Sequence, residues 1–187
     1  WSEAKCKPRY SGEILVPPIT DLPRPSIKTL DKGIFVTITG IEGLERLYAE
    51  VDTLGLKLYS NDRTAVPTAE IVFPHEIANP AIVFQFARAG WGSIWLSMFL
   101  GTPLLVPAFD PTDDPEIYFN NQALLGLGIG LVYEGQPLVD ILNSGTTVQA
   151  AQKQLTAKIF ARFGNLNGNE VAAKIFADKF LSVASEN

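Results

Sequence analysis

FARAGWGSIWLSMFLGTPLLVPAFD, residues 86–110, holds the residue types and spacing in this chain best suited to chemistry. An apolar run leads into Gly90-Trp91-Gly92-Ser93, and a short amphipathic stretch follows before a second apolar run. Glycines at a strand-to-helix turn let backbone approach a ligand closely, and the first amides of a helix lack intrahelical partners. With Ser93 as the expected cap, those amides and the partial positive charge of the helix start suit a phosphate group. Gly90, Gly92 and Ser93 are therefore candidates to hold a diphosphate, although the same residues also fit a plain tight turn around a packed tryptophan. Elsewhere the candidates are few. The chain has one histidine, His75, and one cysteine, Cys6, so neither a Cys/His zinc site nor an intramolecular disulfide is expected, and no cofactor is implied. Asp113-Asp114-Pro115-Glu116 has the order of a helix start, with an Asp cap, proline at the first helical position and an acid in the first turn.

The elements that must position these residues follow from local patterning. Residues 1–32 read as a proline-rich arm or linker, with Pro17-Pro18 and Leu22-Pro23-Arg24-Pro25 favouring extended backbone and a short strand expected at 13–16. Residues 33–187 read as one domain. The β-branched run Ile34-Phe35-Val36-Thr37-Ile38-Thr39 predicts a buried strand ending at Gly40. Leu44, Leu47, Tyr48, Val51 and Leu54 recur at helical spacing before the stop at Gly55, and residues 56–59 predict the next strand. Further strands are expected at 70–73, 83–87, 104–107 and 130–133. Helices are expected over about two turns from Ser93, from Asp114 to the Gly126/Gly128 region, and at 148–163 and 170–183. Strands alternating with helices predict an α/β fold, a Rossmann-like doubly wound parallel sheet with C-terminal helices. Ligands of such sheets bind at the carboxyl ends of the strands, where the Gly90 turn falls.

Composition bounds the function. A chain of 187 residues that is 47% hydrophobic buries one good core. A net charge of −5 and a pI near 4.9 argue against a nucleic-acid binder, which gathers Lys and Arg into a basic surface. The most apolar region is broken by Gly101, Pro103 and Pro107, short of the ~20 residues a membrane span needs. A cytoplasmic protein with no transmembrane segment is expected, and the start at Trp1 reads as that of an excised piece.

Asn79-Pro80-Ala81, Phe86, Arg88, Gly90-Trp91-Gly92-Ser93, Gly101-Thr102-Pro103 and Pro107 together resemble the donor-binding signature of nucleotide-sugar glycosyltransferases of the GT-B fold. The spacing from Asn79 to Pro103 is kept without a gap. Asp114, Tyr118, Phe119 and Asn120 are similar to the Asp-x-x-x-Tyr-aromatic-Asn helix start of bacterial N-acetylglucosaminyltransferases that make lipid II. Ile14-Leu15-Val16-Pro17-Pro18-Ile19 resembles the linker before the carboxyl-terminal half of such enzymes. The resemblance implies that Gly90, Gly92 and Ser93 face the donor diphosphate, with Thr39 and Gly40 across the cleft. It implies that Phe73 and His75 pack on the base, uracil for a UDP-sugar, and that Asp113, Asp114 and Glu116 reach sugar hydroxyls. Arg88 stands where relatives carry histidine or arginine at the strand end. Apart from the resemblance, His75 also reads as an exposed loop histidine, the acids as helix caps and Arg88 as a surface or structural residue. The family's ribose-binding glutamate corresponds to Leu96, and its Asp-Gln pair to Asp113-Asp114 at altered spacing.

The leading expectation is the donor-binding half of a metal-independent glycosyltransferase that transfers a sugar from a nucleotide diphosphate sugar to an acceptor hydroxyl. The catalytic base and acceptor site would then lie in an N-terminal half, in the same or a partner chain, and no catalytic residue is assigned here. A sugar-nucleotide epimerase, a donor subunit of a two-chain transferase and a non-catalytic GT-B relative are the alternatives, and Leu96 speaks for the last.

Overall fold

The computed structural model describes residues 8, 10–24, 26–37, 44–64, 66–112 and 114–181. Thr39, Gly40 and Asp113 lie outside them. Six strands, β1 (Gly33–Val36), β2 (Lys57–Ser60), β3 (Glu70–Ile71), β4 (Ile82–Phe86), β5 (Leu104–Pro107) and β6 (Gly130–Tyr133), form one sheet in the order β3-β2-β1-β4-β5-β6. Every pairing is parallel, so all the strands end at one carboxyl edge. The order reverses between β1 and β4, and such reversal is where doubly wound sheets open a ligand crevice. Helices on both faces let β1 and β5 be buried along their whole length.

The helices are α1 (Glu45–Thr53), α2 (Trp91–Leu100), α3 (Pro115–Leu127), α4 (Leu138–Phe163) and α5 (Gly168–Leu181), with a 3-10 turn at Pro74–Ala78. Two compact units result, one of residues 22–153 that holds the whole sheet, the other of residues 1–21 with 154–187. In the second unit Gly168 starts α5 so close to Pro17 and Pro18 that a Cβ would stand 2.3 Å from the Pro17 carbonyl oxygen. Asn169 Nδ2 donates to the Thr20 carbonyl at 3.1 Å.

Several local expectations are corrected. Residues 13–16 are not a strand; the Glu13 amide instead closes a turn on the Tyr10 carbonyl. The N-cap of α2 is Gly90 rather than Ser93, and the helix runs ten residues. Its other end is as expected, since Gly101 takes the left-handed conformation (φ 69°) and sends its amide back to Met98. β3 is two residues long because Val72 turns inward and Phe73 leads into Pro74. α4 begins ten residues before the expected 148, at Leu138.

Candidate functional site

The carboxyl edge collects the loops after β3, β4 and β5. At the end of β4, the Ala87 amide is tied to the Leu105 carbonyl and the Gly90 amide turns back to the Arg88 carbonyl at 2.8 Å. The chain then enters α2 with no side-chain cap. Ile94 donates to Gly90 at 3.0 Å, which leaves the Trp91, Gly92 and Ser93 amides as the helix's outward donors. A Cβ placed on Gly90 or Gly92 would meet nothing within 4 Å, and neither glycine needs a positive φ. Neither glycine is required by packing or backbone strain, and the space above both is open to a ligand. Trp91 lies at the mouth, 39% exposed and stacked on Trp95 at 5.3 Å.

The loop after β3 carries Phe73 and His75, whose rings stack 5.6 Å apart at 10°. Both are exposed, Phe73 by 72%. His75 Nε2 lies 3.5 Å from Oε1 of Glu76. Glu76 is buried and accepts from the Ser26 hydroxyl. β3 is three strands from β4, about 14 Å away by the usual strand spacing.

After β5, Asp110 Oδ1 accepts from the Thr112 hydroxyl at 2.6 Å and the Thr112 amide at 2.7 Å. These bonds hold its carboxyl below the ordinary carboxylate range, the hydroxyl first, with the Arg88 charge adding to them. Arg88 and Asp110 therefore share one electrostatic neighbourhood. Asp110 was not among the sequence candidates, although Asp110-Pro111-Thr112 is a readable Asx-turn pattern. Asp114 caps α3, its Oδ1 accepting from the Glu116 amide at 2.8 Å. Glu116 Oε1 in turn accepts from Asn120 Nδ2 at 3.2 Å, and the same nitrogen donates to the Ala89 carbonyl at 2.7 Å. Asp114 and Glu116 are exposed, whereas Asn120 is buried.

Two motif residues serve packing. Asn79 is buried and binds the Lys28 carbonyl (2.7 Å) and the Ala81 amide (3.0 Å). Leu96, at the position matching the family glutamate, packs with Leu30 and Leu100 on the apolar cluster Phe35, Tyr59, Val72, Ile77 and Ile82.

No family model matches the sequence, and no curated protein does. Solved structures do. The glycosyltransferase SnogD from Streptomyces nogalater aligns over 90% of this chain and 46% of its own, with a TM-score of 0.54 and 19% identity. The spinosyn rhamnosyltransferase SpnG with spinosyn aglycone aligns over 89% and 53%, with a TM-score of 0.55 and 14% identity. CalG4, the calicheamicin glycosyltransferase, aligns over 94% and 49%, with a TM-score of 0.55 and 14% identity. The chain spans about half the length of the structures it matches. No described helix is long and apolar enough to cross a membrane. The α/β sheet described above is thus the fold of one half of a GT-B glycosyltransferase.

Proposed function

We propose that this chain binds a nucleotide diphosphate sugar, a UDP-sugar first among them, as the carboxyl-terminal donor-binding half of a cytoplasmic, metal-independent glycosyltransferase. One observation carries the reading: α2 starts without a side-chain cap at the carboxyl end of β4, beside the strand-order reversal, with open space over Gly90 and Gly92. In sugar transfer the bond from the anomeric carbon to the diphosphate breaks as the acceptor hydroxyl oxygen attacks, and negative charge grows on the leaving phosphate oxygen. Preorganised amides of Trp91, Gly92 and Ser93 and the helix charge stabilise that oxygen. The acceptor's proton goes to a base in the other half. Phe73 and His75 present a flat aromatic surface for a base on one side, and Asp114 and Glu116 offer acceptors for sugar hydroxyls on the other. Thr39, Gly40 and Asp113 complete the proposed donor contacts. A solved SpnG complex with thymidine diphosphate, aligned at a TM-score of 0.53 and 16% identity, supports the nucleotide class.

The test is titration calorimetry of the chain with UDP, dTDP and GDP without added metal, beside a Gly92→Asp variant. Micromolar to millimolar binding that favours one base and is lost in the variant is expected. A wild-type chain that binds none of the three sinks the reading. It would advance the second one, a GT-B relative that keeps the fold without catalysis, for which the half-buried Leu96 packed against the core is the favouring observation.

A further inference from the structure

The diphosphate turn and the first turn of α3 belong to different strand-helix units, yet one buried side chain joins them. Asn120 Nδ2 carries two N–H groups. It gives the Ala89 carbonyl a 2.7 Å bond and the Glu116 carboxylate a 3.2 Å bond. Ala89 is fully buried and immediately precedes Gly90, so its carbonyl fixes the plane from which α2 departs. Glu116 is one helical turn before Asn120 on the same face of α3. The Asp114 cap fixes the Glu116 amide from the other side. Asn121 provides an internal comparison. It is equally buried, and its Nδ2 reaches the Pro107 carbonyl at 3.4 Å, at the end of β5 rather than on the β4–α2 turn itself.

We propose that Asn120 is a positioning residue that sets the phosphate-facing amides of Trp91, Gly92 and Ser93 in register with the Glu116 carboxylate. The inference rests on the donor reading above only for what the turn binds; the positioning itself is a property of the ligand-free chain. Losing the bond to Ala89 frees the turn to tilt, and a diphosphate then meets amides that no longer converge.

The experiment compares Asn120→Ala, the near-isosteric Asn120→Asp and the control Asn121→Ala with wild type, using two readouts on the full chain. The first is amide hydrogen exchange without ligand at Gly90 and Ile94, whose amides are bonded within the turn to the Arg88 and Gly90 carbonyls. Exchange there rises at least tenfold in both Asn120 variants and stays near wild type in Asn121→Ala, the tenfold being the weight of one hydrogen bond. The second is calorimetry with UDP and with inorganic pyrophosphate, where both Asn120 variants lose about tenfold in affinity and Asn121→Ala does not. Asn120→Asp keeps the shape and sets a carboxylate against the Ala89 carbonyl, so it serves if the alanine variant fails to fold. Equal exchange at Gly90 and Ile94 in the Asn120 variants and Asn121→Ala overturns the proposal. Raised exchange in the Asn120 variants with no nucleotide binding by wild type upholds the positioning and overturns the donor reading instead.

Discussion

Glu50, near the end of α1, reaches across 88 residues of sequence to accept the Leu138 amide on its Oε2 at 2.6 Å. A carboxylate at that place satisfies one of the free amides that open α4 and meets the positive end of that helix. Arg46, one turn earlier, binds the other carboxylate oxygen at 2.8 Å. The Leu138 amide first, and the Arg46 side chain second, hold the Glu50 carboxyl below its ordinary range. A carboxyl whose pKa is lower folded than unfolded adds stability above the unfolded pKa and loses it as pH falls through the folded one. Thermal melts of wild type and Glu50→Gln should therefore differ at neutral pH and converge in acid, below the usual carboxylate range. A gap that stays constant from neutral pH into acid would contradict the assignment.

Phe73 is 72% exposed and stacks on His75, itself exposed, so its removal should barely touch stability, within about 0.5 kcal/mol. Stacking on a base is worth about 1–3 kcal/mol per base. Phe73→Ala is expected to weaken UDP about tenfold and leave inorganic pyrophosphate binding unchanged. Parallel losses for both ligands would move the base away from this loop.

Asp114 and Glu116 have separable duties. Asp114→Ala removes the α3 cap and should cost about 1 kcal/mol, seen as a melting point lower by a few degrees. Glu116→Gln keeps the fold and should reduce the preference for UDP-sugar over UDP. If Glu116→Gln leaves that preference intact, the acid has no part in holding the sugar.

Leu96→Glu distinguishes packing from ligand contact. Placed among Leu30, Leu100 and the Phe35–Tyr59 cluster, the new charge should destabilise the chain by roughly 2 kcal/mol or more without improving nucleotide binding. A gain in UDP affinity would show that the position faces ribose.

How much of this was legible in the sequence depends on the reach of each signal. The β-branched strand at Ile34, the Asp-Pro-Glu start of α3 and the stop at Gly101 are local, and the structure has all three. The first ten residues of α4 were not legible, because Asn143-Ser144-Gly145-Thr146-Thr147 is a run of poor helix formers. Tertiary contact overrides that preference: Leu138, Ile141 and Val148 are buried, and a Cβ at Gly145 would press on the Phe84 ring at 3.3 Å. The misplaced cap of α2 has a similar source. Ser93 is a better cap than glycine by propensity, yet the helix starts earlier, where Trp91 stacks on Trp95. The duties of Asn120 and Leu96 depend on partners distant in sequence, which residue type and spacing do not encode.

The strand order also governs how the crevice is made. Gly33 meets its first neighbour, Lys57, after α1 alone, whereas its second, Ile82, arrives only after β2, β3 and the 3-10 turn have passed. The β1–β4 boundary is the longer of those two chain closures and carries the larger entropic cost. An emerging chain can thus pair the strands that lead to Phe73 before the Gly90 turn has been synthesised, and the carboxyl edge is completed from its Phe73 end toward its Gly90 end.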